Sequence, residues 1–97
     1  MTTGSIEPML PGEARKRIRT VLAEGEVVFT SHALEEMKHD GISQAKVIDV
    51  LRGGVVEPAE FERGSWRCRV RAHKVYAVLS FRSAATALGV TAWRVNR

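Results

Sequence analysis

The chain holds a single cysteine, Cys68, so an internal disulfide framework is excluded. No stretch stays apolar for long enough to serve as a membrane span or signal sequence, and the expectation is a cytoplasmic protein with no membrane partner. Internal repeats and low-complexity tracts are missing as well. Gly53-Gly54 follows a helical pattern and lacks the lysine of a phosphate-cradling loop. His32 and His39 would stand about 10 Å apart along a helix, too far to share one zinc, and Cys68 and His73 would leave opposite faces of a strand. Neither a metal nor another cofactor is expected. Acidic residues are nearly absent from the last third. Residues 62–97 carry eight Lys/Arg against one Asp/Glu, a balance of +7, whereas residues 1–61 carry seven against ten, a balance of −3. A basic third of this kind attracts nucleic acid in a salt-dependent way without specifying a sequence or a reaction.

Ninety-seven residues at 44% hydrophobic content make one small domain with a modest core. Residues 1–12, with Gly4, Pro8, Pro11 and Gly12, read as a loose arm, leaving 13–97 as the folded part. From Glu13 to about Glu24, Ala14, Ile18, Val21 and Leu22 recur at helical spacing, and Gly25 closes the helix. Val27 to Phe29 reads as a short extended entry. Thr30 or Ser31 then caps a helix that turns Ala33, Leu34 and Met37 inward and stops at Asp40-Gly41, with Ile42 in the hydrophobic position after the glycine. Ser43 caps a third helix, whose Val47, Ile48 and Leu51 make one stripe before Gly53-Gly54.

Strands follow. Val55 to Phe61 contains Pro58 and belongs at an edge, and Arg63-Gly64 turns the chain into Trp66-Arg67-Cys68-Arg69-Val70-Arg71-Ala72-His73. That segment alternates small or apolar residues with Arg67, Arg69, Arg71 and His73, so one strand face is cationic. Same-face residues recur every ~6.6–7 Å, close to the phosphate repeat of a nucleic-acid strand, and guanidinium grips phosphate oxygens in pairs. The plainer reading is a solvated charged face. The apolar parity changes after Ala72, which predicts a tight turn at His73-Lys74. A strand to Phe81 or Arg82, a turn at 83–85 and a last strand from Thr86 to Arg94, with Leu88, Val90, Ala92 and Arg94 in phase, complete the chain. The fold class is α+β: N-terminal helices packed on one face of a C-terminal antiparallel sheet of about four strands, with the other face open to ligand.

The segment Trp66 to Val78 resembles the paired strands of the RelE-type toxin superfamily. Phe29-Thr30-Ser31-His32-Ala33-Leu34, Gly41-Ile42-Ser43 and Val47-Ile48-Asp49-Val50-Leu51 resemble an uncharacterised bacterial family, the domain of unknown function 4258, associated with the same superfamily. Together these segments span about residues 27–94. The resemblance implies a metal-independent endoribonuclease toxin, encoded beside an antitoxin protein that would be its partner, with RNA bound on the concave sheet face. The sequence lacks the dense basic and aromatic cluster after the last strand that some members of that superfamily use.

Such cleavage needs a base for the ribose 2′-hydroxyl, cations for the phosphorane and an acid for the leaving 5′-oxygen. His32, at a helix N-terminus that favours its neutral form, is the first candidate for proton transfer, with His73, Lys74 or Tyr76 as the second group. Arg67, Arg69 and Arg71 would clamp phosphate, and Arg82 and Arg94 complete the RNA-binding set. Each has a duller reading: His32 as a packed helix cap, His39 as a solvated C-terminal cation, Tyr76 as a surface strand residue, Trp66 and Trp93 as sheet-packing residues, Cys68 as a small buried hydrophobe. A different class of function shares the same patch: a non-catalytic module binding nucleic acid or an acidic protein through the arginine face. The oligomeric state is left open.

Overall fold

The structure, a computed structural model, describes residues 9–83 and 85–95; of the expected arm at 1–12, residues 1–8 lie outside them, whereas Met9 is buried and Pro11 and Gly12 belong to the first helix. Helix α1 spans Pro11–Glu24, strand β1 Glu26–Phe29, α2 Ser31–Asp40 and α3 Gln44–Gly53. Strands β2 Val55–Val56, β3 Glu60–Glu62, β4 Ser65–Ala72, β5 Val75–Phe81 and β6 Thr86–Arg94 follow. No helix among the described residues is long and apolar enough to cross a membrane.

Helix α1 starts two residues before the expected Glu13. Pro11 sits in its first turn, where a missing N–H costs no hydrogen bond, and the Leu10 carbonyl accepts from Ala14 N–H at 2.9 Å. Thr30 caps α2 by accepting from the Ala33 N–H at 3.0 Å, and Ser43 caps α3 through the Lys46 N–H at 3.0 Å. Gly41, at φ 69°, ends α2 in the left-handed conformation; the Ile42 N–H then reaches the Met37 carbonyl at 2.8 Å and Ile42 is buried. Two stripe assignments need correction. Leu34 is 41% exposed, and α3 turns Val47, Val50 and Leu51 fully inward, with Ile48 only partly buried.

The sheet is larger than expected and mixed. Its order is β1-β6-β5-β4-β2, with β3 also on β4; β1 runs parallel to β6 and the other pairs are antiparallel. Two causes account for six strands instead of about four. Pro58 cannot donate to a ladder, so Val55–Phe61 breaks into two short strands on the β4 rim. The extended entry at Val27–Phe29 pairs with β6 and becomes a rim strand itself.

Both expected hairpin turns are present, with left-handed pairs at Arg63 (φ 49°) and Gly64 (φ 81°) and at His73 (φ 51°) and Lys74 (φ 65°). The second turn moves the apolar parity to odd positions in β5, so Val75, Ala77 and Leu79 join Val70 in the core. In β6 the expected single phase fails. Leu79 pairs with Gly89 but Val78 with Thr91, leaving Val90 as an extra residue that switches the faces. Ala87 and Ala92 therefore both point inward, Leu88 shares the open face with Thr91 and Trp93, and Arg94 shares the helix side with Ala92.

Helices α1 and α3 bury Ile18, Val21, Val47, Val50 and Leu51 against one sheet face. Helix α2 takes a different place. Beyond Phe29 the rim of β6 has no strand partner, and α2 lies against it: Thr30 N–H donates to the Gly89 carbonyl at 3.0 Å, and Arg94 N–H donates to Asp40 Oδ2 at 2.9 Å. Ala33 and Met37 face the core, while Glu36, on the other flank of α2, accepts from the Thr91 hydroxyl at the open face.

Candidate functional site

The open face is built by strand parity. Arg67, Arg69 and Arg71 stand opposite Ser80, Val78 and Tyr76 of β5, and Thr91 and Trp93 of β6 continue the rows beyond Val78 and Tyr76. The three guanidinium groups thus share one surface that the helices leave uncovered; their side chains are 26%, 42% and 49% exposed. The opposite parity buries Cys68 and Val70.

Carboxylates oppose this row, which the charge count of the C-terminal third does not convey. Glu57 bridges two arginines, with Oε2 2.9 Å from Arg71 Nε and Oε1 3.6 Å from Arg69. Glu62 lies 3.9 Å from Arg67 Nε, and Glu60 pairs in register with Arg67. The Nε of Arg67 is buried and has no hydrogen-bond partner among the described residues. Trp93 stacks on Tyr76 with ring centres 5.2 Å apart and planes 3° from parallel, and the Arg69 guanidinium sits 5.8 Å from the Trp93 ring centre. Trp66 is the packing residue of the pair, meeting Phe61 edge-on at 5.3 Å.

Two adjoining hollows mark this face. One, of about 620 Å³, is lined by Glu57, Arg69, Val78 and Trp93 among others. The second, of about 670 Å³, is lined by His32, Glu36, Arg63 and Val90, and both share Glu62, Arg67, Thr91 and Trp93. The two form one groove. His32 reaches it because α2 runs along the β6 rim; its Nε2 lies 3.8 Å from Glu36 Oε1, and the side chain is 68% exposed.

The remaining sequence-derived site residues lie elsewhere. His73 and Lys74 form the β4–β5 turn and, with Arg71 and Tyr76, border a smaller hollow of about 240 Å³. Arg82 stands beyond β5 beside Lys16 and Arg17 of α1. Arg94 is on the helix side, where its guanidinium donates to the Asp40 and Gly41 carbonyls at 3.3 and 3.4 Å and closes the end of α2. The Arg94 backbone N–H, and after it the His39 side chain, holds the Asp40 carboxyl below the ordinary carboxylate range. His39 is 88% exposed.

Cys68 is fully buried with its sulfur 3.5 Å from that of Met9, and burial pushes its thiol up to about 11. Among the described residues no group of three or more His, Cys, Asp or Glu gathers as metal ligands. Sequence reasoning missed Glu36, Glu57, Glu60, Glu62 and Arg63. A signal for Glu60 was available: a two-residue turn at Arg63-Gly64 puts it opposite Arg67. No family model matches the chain, and neither the curated proteins nor the solved structures compared with it give a match.

Proposed function

We propose that this protein is a metal-independent endoribonuclease acting on a single RNA strand laid across the open sheet face. The observation that carries the proposal is the meeting of His32 and Arg67 on one groove, bordered by Glu36 and Glu62. The Glu36 carboxylate, held by the Thr91 hydroxyl, stands 3.8 Å from His32 Nε2, near enough to favour the imidazolium that forms when His32 takes a proton. His32 takes the proton of a ribose 2′-hydroxyl, whose oxygen attacks the adjacent phosphorus. The P–O5′ bond breaks, and solvent in the open groove protonates the leaving oxygen. The products are a 2′,3′-cyclic phosphate and a 5′-hydroxyl. Arg67 and Arg63 supply positive charge to the phosphorane, Arg67 through the exposed end of its guanidinium, since its buried Nε faces Glu62 at 3.9 Å. Trp93, backed by Tyr76, offers an aromatic edge for a base. In a cell such cleavage arrests growth, the role implied by the likeness to RelE-type toxins, and calls for an antitoxin partner.

A second reading has its own support. Because Glu57, Glu60 and Glu62 set three carboxylates beside Arg67, Arg69 and Arg71, the arginine row as a whole is charge-balanced, which favours a binding module without chemistry. One experiment separates the two. Purified protein is incubated with labelled RNA in a chelator, and cleavage and affinity are followed in parallel for wild type and His32→Ala. Catalysis by His32 predicts a loss of about 10²-fold or more in rate with affinity nearly unchanged. Binding without cleavage selects the second reading, and absence of both refutes the RNA site.

A further inference from the structure

Resting on the RNA reading of the open face, we infer that a second phosphate-binding site lies around the end of the sheet, formed by Lys16 and Arg17 of α1 and Arg82 after β5. These three cations line a hollow of about 440 Å³ together with Thr20, Phe81 and Ser83. Its electrostatics differ from those of the groove. Arg17 has a carboxylate neighbour in Glu13 at 3.7 Å, an exposed pair one helical turn apart, but neither Lys16 nor Arg82 has an acidic partner among the described residues. The Arg17 guanidinium is also seated 5.6 Å from the centre of the Phe81 ring, which fixes it toward the hollow instead of leaving it free in solvent. Three like charges directed at one concavity repel each other until an anion enters.

The site lies on the course of a strand leaving the groove. Arg67 is paired across the sheet with Ser80, and Arg82 follows Ser80 by two residues just past the end of β5, so the two cations are separated by roughly one strand spacing of ~5 Å and two residues of chain, a reach of one to two extended nucleotides. An RNA backbone that contacts Arg67 therefore passes Arg82 as it crosses the β5–β6 turn and meets Arg17 and Lys16 on the helix side. The groove handles the nucleotides at the reaction centre; the outer site adds affinity for a longer strand without touching the reacting atoms.

Length dependence tests this. Affinities of wild type and of K16Q/R17Q are measured by fluorescence anisotropy over a salt series, with oligonucleotides of about 4 and about 12 residues. The longer strand binds wild type more tightly and with a steeper salt slope, and the double variant lowers that slope by about 1.4 while the shorter strand binds as before. R82Q changes the long-strand affinity in the same direction. If both lengths bind wild type equally, or if the double variant weakens both alike, the outer site is overturned while RNA binding on the open face stands. If neither length binds wild type at all, both proposals fall together.

Discussion

Glu57→Gln is expected to tighten RNA binding while weakening the fold. The carboxylate holds two guanidinium groups at once, at 2.9 and 3.6 Å, and a phosphate that grips Arg69 and Arg71 must displace it. Glu57 is 27% exposed and its partners 42% and 49%, so solvent screens both pairs and each contributes roughly 0.5–1 kcal/mol. Removing the competitor then returns about 1–2 kcal/mol to the ligand, an affinity gain of about 5–30-fold. Two newly available phosphate contacts steepen the salt slope by about 1.4. The free protein loses about 1 kcal/mol of stability, since Arg69 and Arg71 are left as same-face neighbours ~7 Å apart without their bridge. Anisotropy titrations at several salt concentrations read the first two effects and thermal melts the third. An E57Q protein that binds RNA no more tightly than wild type would refute the competition argument.

Two further outcomes concern the scaffold. The Asp40 carboxyl is held below its ordinary value of 3.8, so its contribution to stability is present above that pH and is lost as the pH falls through the lower folded value. Asp40→Asn should therefore melt below wild type at pH 7, with the gap closing as the pH falls below about 4; a gap that stays constant as the solution is acidified would contradict the linkage. At Gly89 an added Cβ would meet the Phe29 ring at 2.6 Å. Gly89→Ala should cost about 1–3 kcal/mol in denaturant unfolding, and combining it with Phe29→Val should recover part of that loss, whereas additive costs would show that the ring is not the obstacle.

Helix caps, glycine stops and both tight hairpins were legible because each rests on local chemistry: Thr30, Ser43, Gly41, Arg63-Gly64 and His73-Lys74 act within a few residues of themselves. The arginine face of β4 was legible for the same reason, as simple alternation. What escaped depends on partners distant in sequence. Nothing near Val27–Phe29 signals a parallel pairing with residues 86–89, and nothing near Val90 marks it as the extra residue that separates Leu88 from the phase of Ala92 and Arg94. The carboxylates escape a charge count along the chain because Glu57 and Glu60 precede the basic third in sequence. In space, Glu57, Glu60 and Glu62 return beside Arg67, Arg69 and Arg71.

The placement of α2 along the rim of β6 also governs how this molecule can be held by others. Asp40 takes the Arg94 N–H that a neighbouring strand would otherwise claim, so that stretch is closed to an added chain. Among the described residues, the four of β1 form the strand on that flank, and on the opposite margin Pro58 breaks the border into pieces of two and three residues. Fibre-like stacking therefore has little to start from at either side of the described sheet.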